Sequence, residues 1–164
     1  METFEAISKR ASVRKYLARS IDRQLLEKLV DAGRRAPTAR AVEPWEFVVV
    51  TDRNVLKKLG EVASTGPFIG DAASCIAVFS QDTKYYLEDG CAATENILIE
   101  AADLGLGACW VAGDKKPYAQ EVADILGASG SLKLVSLISL GWPADEPRQT
   151  KNRNTKDVIH WERF

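Results

Sequence analysis

Lys9-Arg10-Ala11-Ser12-Val13-Arg14-Lys15 puts four cations and one hydroxyl into seven residues near the start of a 164-residue chain whose formal net charge is only −1. A guanidinium offers a planar fork of donors to phosphate oxygens, an ammonium a compact charge and a serine a neutral donor, so the stretch reads as half of an anion site. The other half is Lys151-Asn152-Arg153, near the opposite end. The chain between must therefore fold so that its two ends meet at one phosphate. Charge is segregated accordingly. Residues 1–40 carry 10 Lys/Arg against 5 Asp/Glu, residues 41–147 carry 7 against 16, and residues 148–164 carry 5 against 2. A positive field concentrated at the termini can focus a small anion. Nucleic acid is a poor candidate for that anion, because the pI is near 5.9 and no base-reading motif is present.

Working outward, 46% hydrophobic and 27% charged residues fit one globular domain over 1–164 with a substantial core. The N-terminus lacks a signal pattern and no apolar run is long enough to span a bilayer, which points to a cytoplasmic protein with no membrane contact. Cys75, Cys91 and Cys109 lack metal-ligand spacing and read as reduced core residues, and the single His160 makes a catalytic triad or a metal site a poor reading. Helices are expected over Thr3–Ser8, from the Asp22 cap to Ala36, from the Asp52 cap through Leu59, over Leu87–Leu104, and from Pro117 to Leu126. Strands are expected at Trp45–Val50, which reads as largely buried, and at Ser74–Phe79, Ala108–Val111 and Leu132–Leu140. This intermixing gives a three-layer α+β or α/β sandwich. Gly105-Leu106-Gly107 follows a helix and precedes a strand, the reverse of a dinucleotide-binding turn. Its glycines would instead let backbone amides approach a flat ligand. A phosphate clamp beside a bare backbone edge suits a phosphorylated aromatic cofactor.

These residues together resemble the FMN-dependent nitroreductases. Arg10-Ala11-Ser12-Val13-Arg14 is similar to that family's opening phosphate motif, and Ala36-Pro37-Thr38-Ala39 with Pro44-Trp45-Glu46-Phe47 to its second. Leu104 to Trp110 is similar to the strand lying against the flavin, and Lys151-Asn152-Arg153 to the tail motif. The resemblance implies an α+β, three-layer α/β/α sandwich around a mainly antiparallel sheet. It also implies a homodimer with FMN at the subunit interface, the C-terminal tail docked on the partner. Arg10, Ser12 and Arg14 would hold the phosphate and ribityl chain with Lys151 and Arg153. Pro37, Thr38 and Ala39 would come from the partner subunit. The backbone of Trp110, Val111, Ala112 and Gly113 would face the isoalloxazine, with the Ala112 or Gly113 amide donating towards N5.

No catalytic side chain is then required. The implied reaction is ping-pong: NAD(P)H delivers electrons to FMN and leaves, and a nitroaromatic, quinone or similar acceptor removes them in the same pocket. A flavin-binding redox sensor or carrier without turnover would use the same clamp. Two positions depart from the family pattern. Ala41 and Glu43 stand where many members carry Asn and Gln.

Overall fold

The computed structural model describes residues 2–128 and 130–164. Five helices, α1 (Thr3–Lys9), α2 (Arg23–Arg34), α3 (Arg53–Val62), α4 (Tyr86–Asp103) and α5 (Ala119–Leu126), alternate with four strands, β1 (Trp45–Val50), β2 (Ser74–Gln81), β3 (Gly107–Ala112) and β4 (Leu132–Gly141). The strands pair in the order β1-β2-β4-β3, antiparallel throughout. Alternation along each strand sends Cys75, Ala77, Phe79, Val111 and Leu137 to one face, where Leu56 and Leu59 of α3 and Val122 of α5 cover them. Ile76, Val78, Ile138 and Leu140 go to the other, under Leu26 and Leu29 of α2 and Ile97 and Ala101 of α4. The expected α/β/α sandwich is thereby formed.

Three local expectations change. β1 is half-exposed, only Trp45 and Val50 being buried, because it lies at the edge of the sheet. Its β-branched run reflects pleated-edge packing rather than full burial. α3 continues to Val62, and α5 starts at Ala119, two residues after Pro117. Asp52 does cap α3, accepting from the Asn54 and Val55 amides at 2.9 and 3.0 Å, whereas the Asp22 side chain makes no cap bond. The glycine pair also has other work. Gly105, at φ 73°, closes α4 with the Gly105 amide on Ala102 O and the Leu106 amide on Ala101 O, a Schellman ending. At Gly107 a Cβ would lie 2.7 Å from Val13 Cγ1, so the bare backbone there admits a side chain of the N-terminal segment and no ligand.

That segment is what places the site. Residues 12–20, extended rather than helical, strap across the open edge of β3 and the end of the sheet. Val13 N donates to Ala108 O at 2.9 Å, and Leu17 N to Trp142 O at 2.8 Å. The Tyr16 hydroxyl donates to Val13 O at 2.6 Å and shares a 2.7 Å hydrogen bond with Ser139 Oγ. Chain beyond β4 returns over the strap: Ala144 N donates to Lys15 O at 3.1 Å, and Gln149 Nε2 to Arg10 O at 2.7 Å. The two termini converge as the charge pattern requires. Residues 151–164, by contrast, are exposed along their length, with Trp161 and Phe164 uncovered in the single chain. Among the described residues no helix is long and apolar enough to cross a membrane.

The strap's close fit makes a stability test. Gly107→Ala is expected to cost about 1–3 kcal/mol through the clash with Val13, read as a lower urea midpoint. Adding Val13→Ala should return part of that loss, and an unchanged midpoint in the single variant would contradict the packing.

Candidate functional site

Fastening the strap to β3 places Ser12 and Arg14 on one cavity and Arg10 on a neighbouring one that α4 also lines. Ser12 bridges Ala108 in parallel fashion, and the next residue, Cys109, has its thiol donating to Trp110 O at 3.8 Å within the field of Arg10 and Arg14. Burial is the largest influence on that thiol and holds its pKa above the ordinary value, while the two arginines and Ser12 pull it down. Arg14 lies over the Phe68 ring, 5.6 Å from its centroid, which orients the guanidinium without consuming its donors. Arg10 Nε is 3.9 Å from Glu95 Oε1 on α4. Ser12 and Arg14 are exposed, and residues Ala11 to Lys15 form one wall of a cavity of about 210 Å³ whose other wall is Asp145 to Arg148.

The tail cations sit further out. Lys151 and Arg153 are exposed, and the Arg153 guanidinium turns onto the Asp157 carbonyl within its own turn. The basic residue that reaches the strap's cavity is Arg148, which is also 3.8 Å from Glu146.

Hydrogen-bond alternation decides what the β3 edge offers. Gly113 N donates to Val135 O at 3.0 Å, and the regular register to β4 makes Val111, Cys109 and Gly107 the residues that likewise bond β4. Ala108, Trp110 and Ala112 therefore turn their backbone groups outward. The strap takes Ala108, and the Tyr118 hydroxyl donates to Ala112 O at 2.5 Å. The N–H groups of Trp110 and Ala112 remain on the open edge. Of the two amides expected to meet a flavin, only Ala112's is free to do so, since Gly113's is held inside the sheet. Val111 points into the buried face, and Trp110 packs half-buried against the α4 side.

Thr38 and Ala39 are built into a separate turn, at the N-terminal end of α4. Thr38 Oγ1 donates to Asp89 Oδ2 at 2.9 Å, Ala39 N to Asp89 Oδ1 at 3.0 Å, and Glu43 N to Thr38 Oγ1 at 3.2 Å. Pro37 is exposed beside them. Arg40, Ala41 and Glu43 all have φ between 50° and 61°, a left-handed backbone that non-glycine residues seldom adopt. The Glu43 side chain is exposed. Buried Asp89 went unnoticed in the sequence, where an acid in the first turn of a helix is an ordinary feature.

A sandwich with both faces covered, a strap on the bare edge of its last strand and arginines at that edge is the nitroreductase class of architecture. The comparisons agree: the model of the nitroreductase family matches residues 7–84 and 64–142. The chain belongs to the nitroreductase family. It is 34% identical, over 172 aligned positions covering 99% of both chains, to an Archaeoglobus fulgidus protein to which NADH dehydrogenase/NAD(P)H nitroreductase activity is ascribed. A Bacteroides thetaiotaomicron structure ascribed the same activity superposes with TM-score 0.94 at 29% identity, covering 100% of this chain and 99% of that one. The FMN-dependent nitroreductase of Clostridium difficile R20291 superposes with TM-score 0.92 at 25% identity, covering 98% and 99%.

Burial also fixes the thiol chemistry. Cys75 is fully buried and its pKa is pushed up to about 12, almost wholly by desolvation. The neutral thiol is thus favoured in the fold. Its contribution is intact below an unfolded thiol pKa of about 8.5 and is lost as pH rises from there towards 12. Urea midpoints should fall between pH 8 and pH 10 on this account, and less steeply in Cys75→Ala. An equally steep fall in that variant would assign the loss to other groups.

Proposed function

We propose that this protein is an FMN-dependent NAD(P)H oxidoreductase that reduces small electrophilic acceptors such as nitroaromatics or quinones, NAD(P)H and acceptor using one site in turn. The observation that carries the reading is the fastening of the strap, with Arg10, Ser12 and Arg14 at alternate positions along the chain, to the β3 edge whose further outward amides are those of Trp110 and Ala112. The donor set fits a flavin mononucleotide. Two guanidinium groups and a hydroxyl suit the phosphate, and the edge beyond the strap offers outward backbone amides to a ring. FMN, when bound, supplies the redox centre between nicotinamide and acceptor.

The chain's own part is positioning. Arg10 and Arg14 offset the phosphate charge, Ser12 donates to it, and the Ala112 N–H is the one available to a ring acceptor at the edge. A preorganised donor there stabilises charge that develops on the bound ring. Lys151 and Arg153, two and four residues past the Gln149 bond to Arg10, complete the clamp when the tail folds back.

The second half of the site comes from a partner subunit, through its Pro37-Thr38-Ala39 turn. Exposed Phe4, Ile7, Trp161 and Phe164 support a homodimer, since such apolar groups left in water call for cover. Unpaired cysteines fit the reducing cytoplasm. Sedimentation is expected to give about twice 18.0 kDa even at low concentration. A monomer that retains FMN would contradict the shared site.

Purified protein should be yellow and should oxidise NADH or NADPH with menadione or a nitroaromatic, with parallel double-reciprocal plots. Bound flavin that neither nicotinamide reduces would make the protein a carrier. Arg10→Ala or Arg14→Ala removes charge-assisted bonds worth about 1.5–3 kcal/mol each, so FMN affinity should drop by roughly one to two decades. Ala112→Pro deletes the outward N–H without removing a bond to β4 and should reduce turnover while the protein stays folded. Full turnover in a folded Ala112→Pro variant would remove that amide from the site.

A further inference from the structure

Next to the clamp lies a larger groove, about 710 Å³, at the end of the sheet where β1 finishes and β2 begins. Strap residues Arg14 to Ile21 form one wall, and Thr51, Arg53 and Asp71 to Ala73 the other. Its size is within the usual range for small-molecule sites. Four cations line it, Arg14, Lys15, Arg19 and Arg53, against the single carboxylate of Asp71.

These cations are held in place but not neutralised. Arg53 is anchored by its guanidinium donating to Ala72 O at 2.5 Å and Gly70 O at 2.6 Å. The Arg19 guanidinium carbon sits over the Trp142 indole, 4.0 Å from its centroid, and that indole is itself fixed by Nε1 donating to Ser20 O at 3.0 Å. A cation–π contact holds Arg19 without an ion pair and keeps its N–H donors for phosphate oxygens. Lys15 is exposed and, like Arg14 and Arg19, has no carboxylate partner among the described residues. Lys9, Arg23, Lys28, Arg34 and Arg35 elsewhere on the surface are each ion-paired. A concave wall that keeps several like charges unpaired focuses a field on an anion. Leu17, half-exposed on the same wall, adds an apolar surface for a base.

We infer that this groove takes the phosphate-bearing adenosine half of the nicotinamide substrate, with Arg19, which lines this groove and not the clamp, as its affinity-determining residue. Arg14 and Lys15 line both this groove and the clamp, so the two phosphate sites adjoin. The inference rests on the oxidoreductase reading above.

The test uses the full chain, as wild type and as Arg19→Gln, with flavin content of each preparation measured by visible absorbance. ADP and inorganic pyrophosphate are titrated by calorimetry, which reads the groove whether or not flavin is bound. KM is then compared for NADPH, NADH and reduced nicotinamide mononucleotide, which lacks the adenosine half. The Arg19→Gln variant is expected to lose ADP and pyrophosphate affinity about tenfold, with KM for NADPH rising by a similar factor and KM for the mononucleotide unchanged. Equal ADP affinity in both proteins, or equal KM for NADPH at equal flavin content, would overturn the assignment. So would a KM for the mononucleotide that rises in step with that for NADPH. Absent flavin in the wild type with ADP binding still lost in the variant would count against the oxidoreductase reading and leave the phosphate site standing.

Discussion

The hydrogen bond from Val13 N to Ala108 O, 2.9 Å long, is the contact on which the site depends. β3 is the last strand of the sheet, and an uncovered strand edge is a row of unpaired donors and acceptors. The strap covers only the first part of that edge. Where it does, Arg10, Ser12 and Arg14 are carried to the surface beside Cys109; where it does not, the Trp110 and Ala112 amides stay open. One bond register thus sets both the cationic cluster and the backbone donors, and the absence of a Cβ at Gly107 lets the strap lie close enough to form it.

The other end of β3 is ordered by an irregularity in its neighbour. Between Val78 and Phe79 the β2 register skips a residue of β4, leaving Val135 as the extra one. Val135 then accepts both the Gly113 and Asp114 amides and pushes its side chain against α4 at Gly90, where a Cβ would lie 2.6 Å away. Bulges commonly re-aim backbone next to functional sites. Here the bulged Val135 is the residue that holds Gly113 in the regular β3–β4 register, which leaves Trp110 and Ala112 as the donors at the edge. Directly behind, Thr94 of α4 and Ser136 of β4 share a 2.8 Å bond with no exposure to solvent, which locks helix to sheet beneath the site.

What could be read from the sequence was what local chemistry encodes. Charge segregation to the two ends anticipated the convergence that Gln149 and Ala144 make with the strap, and the Asp52 cap was visible from one residue type at one position. Long-range pairing was not. The β-branched run of Trp45–Val50 could not show that β1 would be an edge strand, because strand order is set by partners tens of residues away. Asp89 was missed for the same reason: its bonds run to Thr38 and Ala39, about fifty residues upstream. The glycines near 105 were recognised as backbone features, but whether a bare Cα faces ligand or protein depends on the strap, and at Gly107 it faces Val13. Which of two adjacent amides is free on β3 follows from alternation against β4, and that requires the register.

Amide hydrogen exchange, followed residue by residue with and without FMN, reports most directly on whether the edge of β3 is the flavin site. Gly113 should be protected in both states, its N–H being bonded to Val135, while Trp110 and Ala112 should exchange quickly alone and slow down markedly when FMN is added. Residues 10–14 should gain protection in the same titration. FMN binding that leaves Trp110 and Ala112 exchanging as fast as before, or that protects the α3 and α5 layer instead, would contradict the site described above.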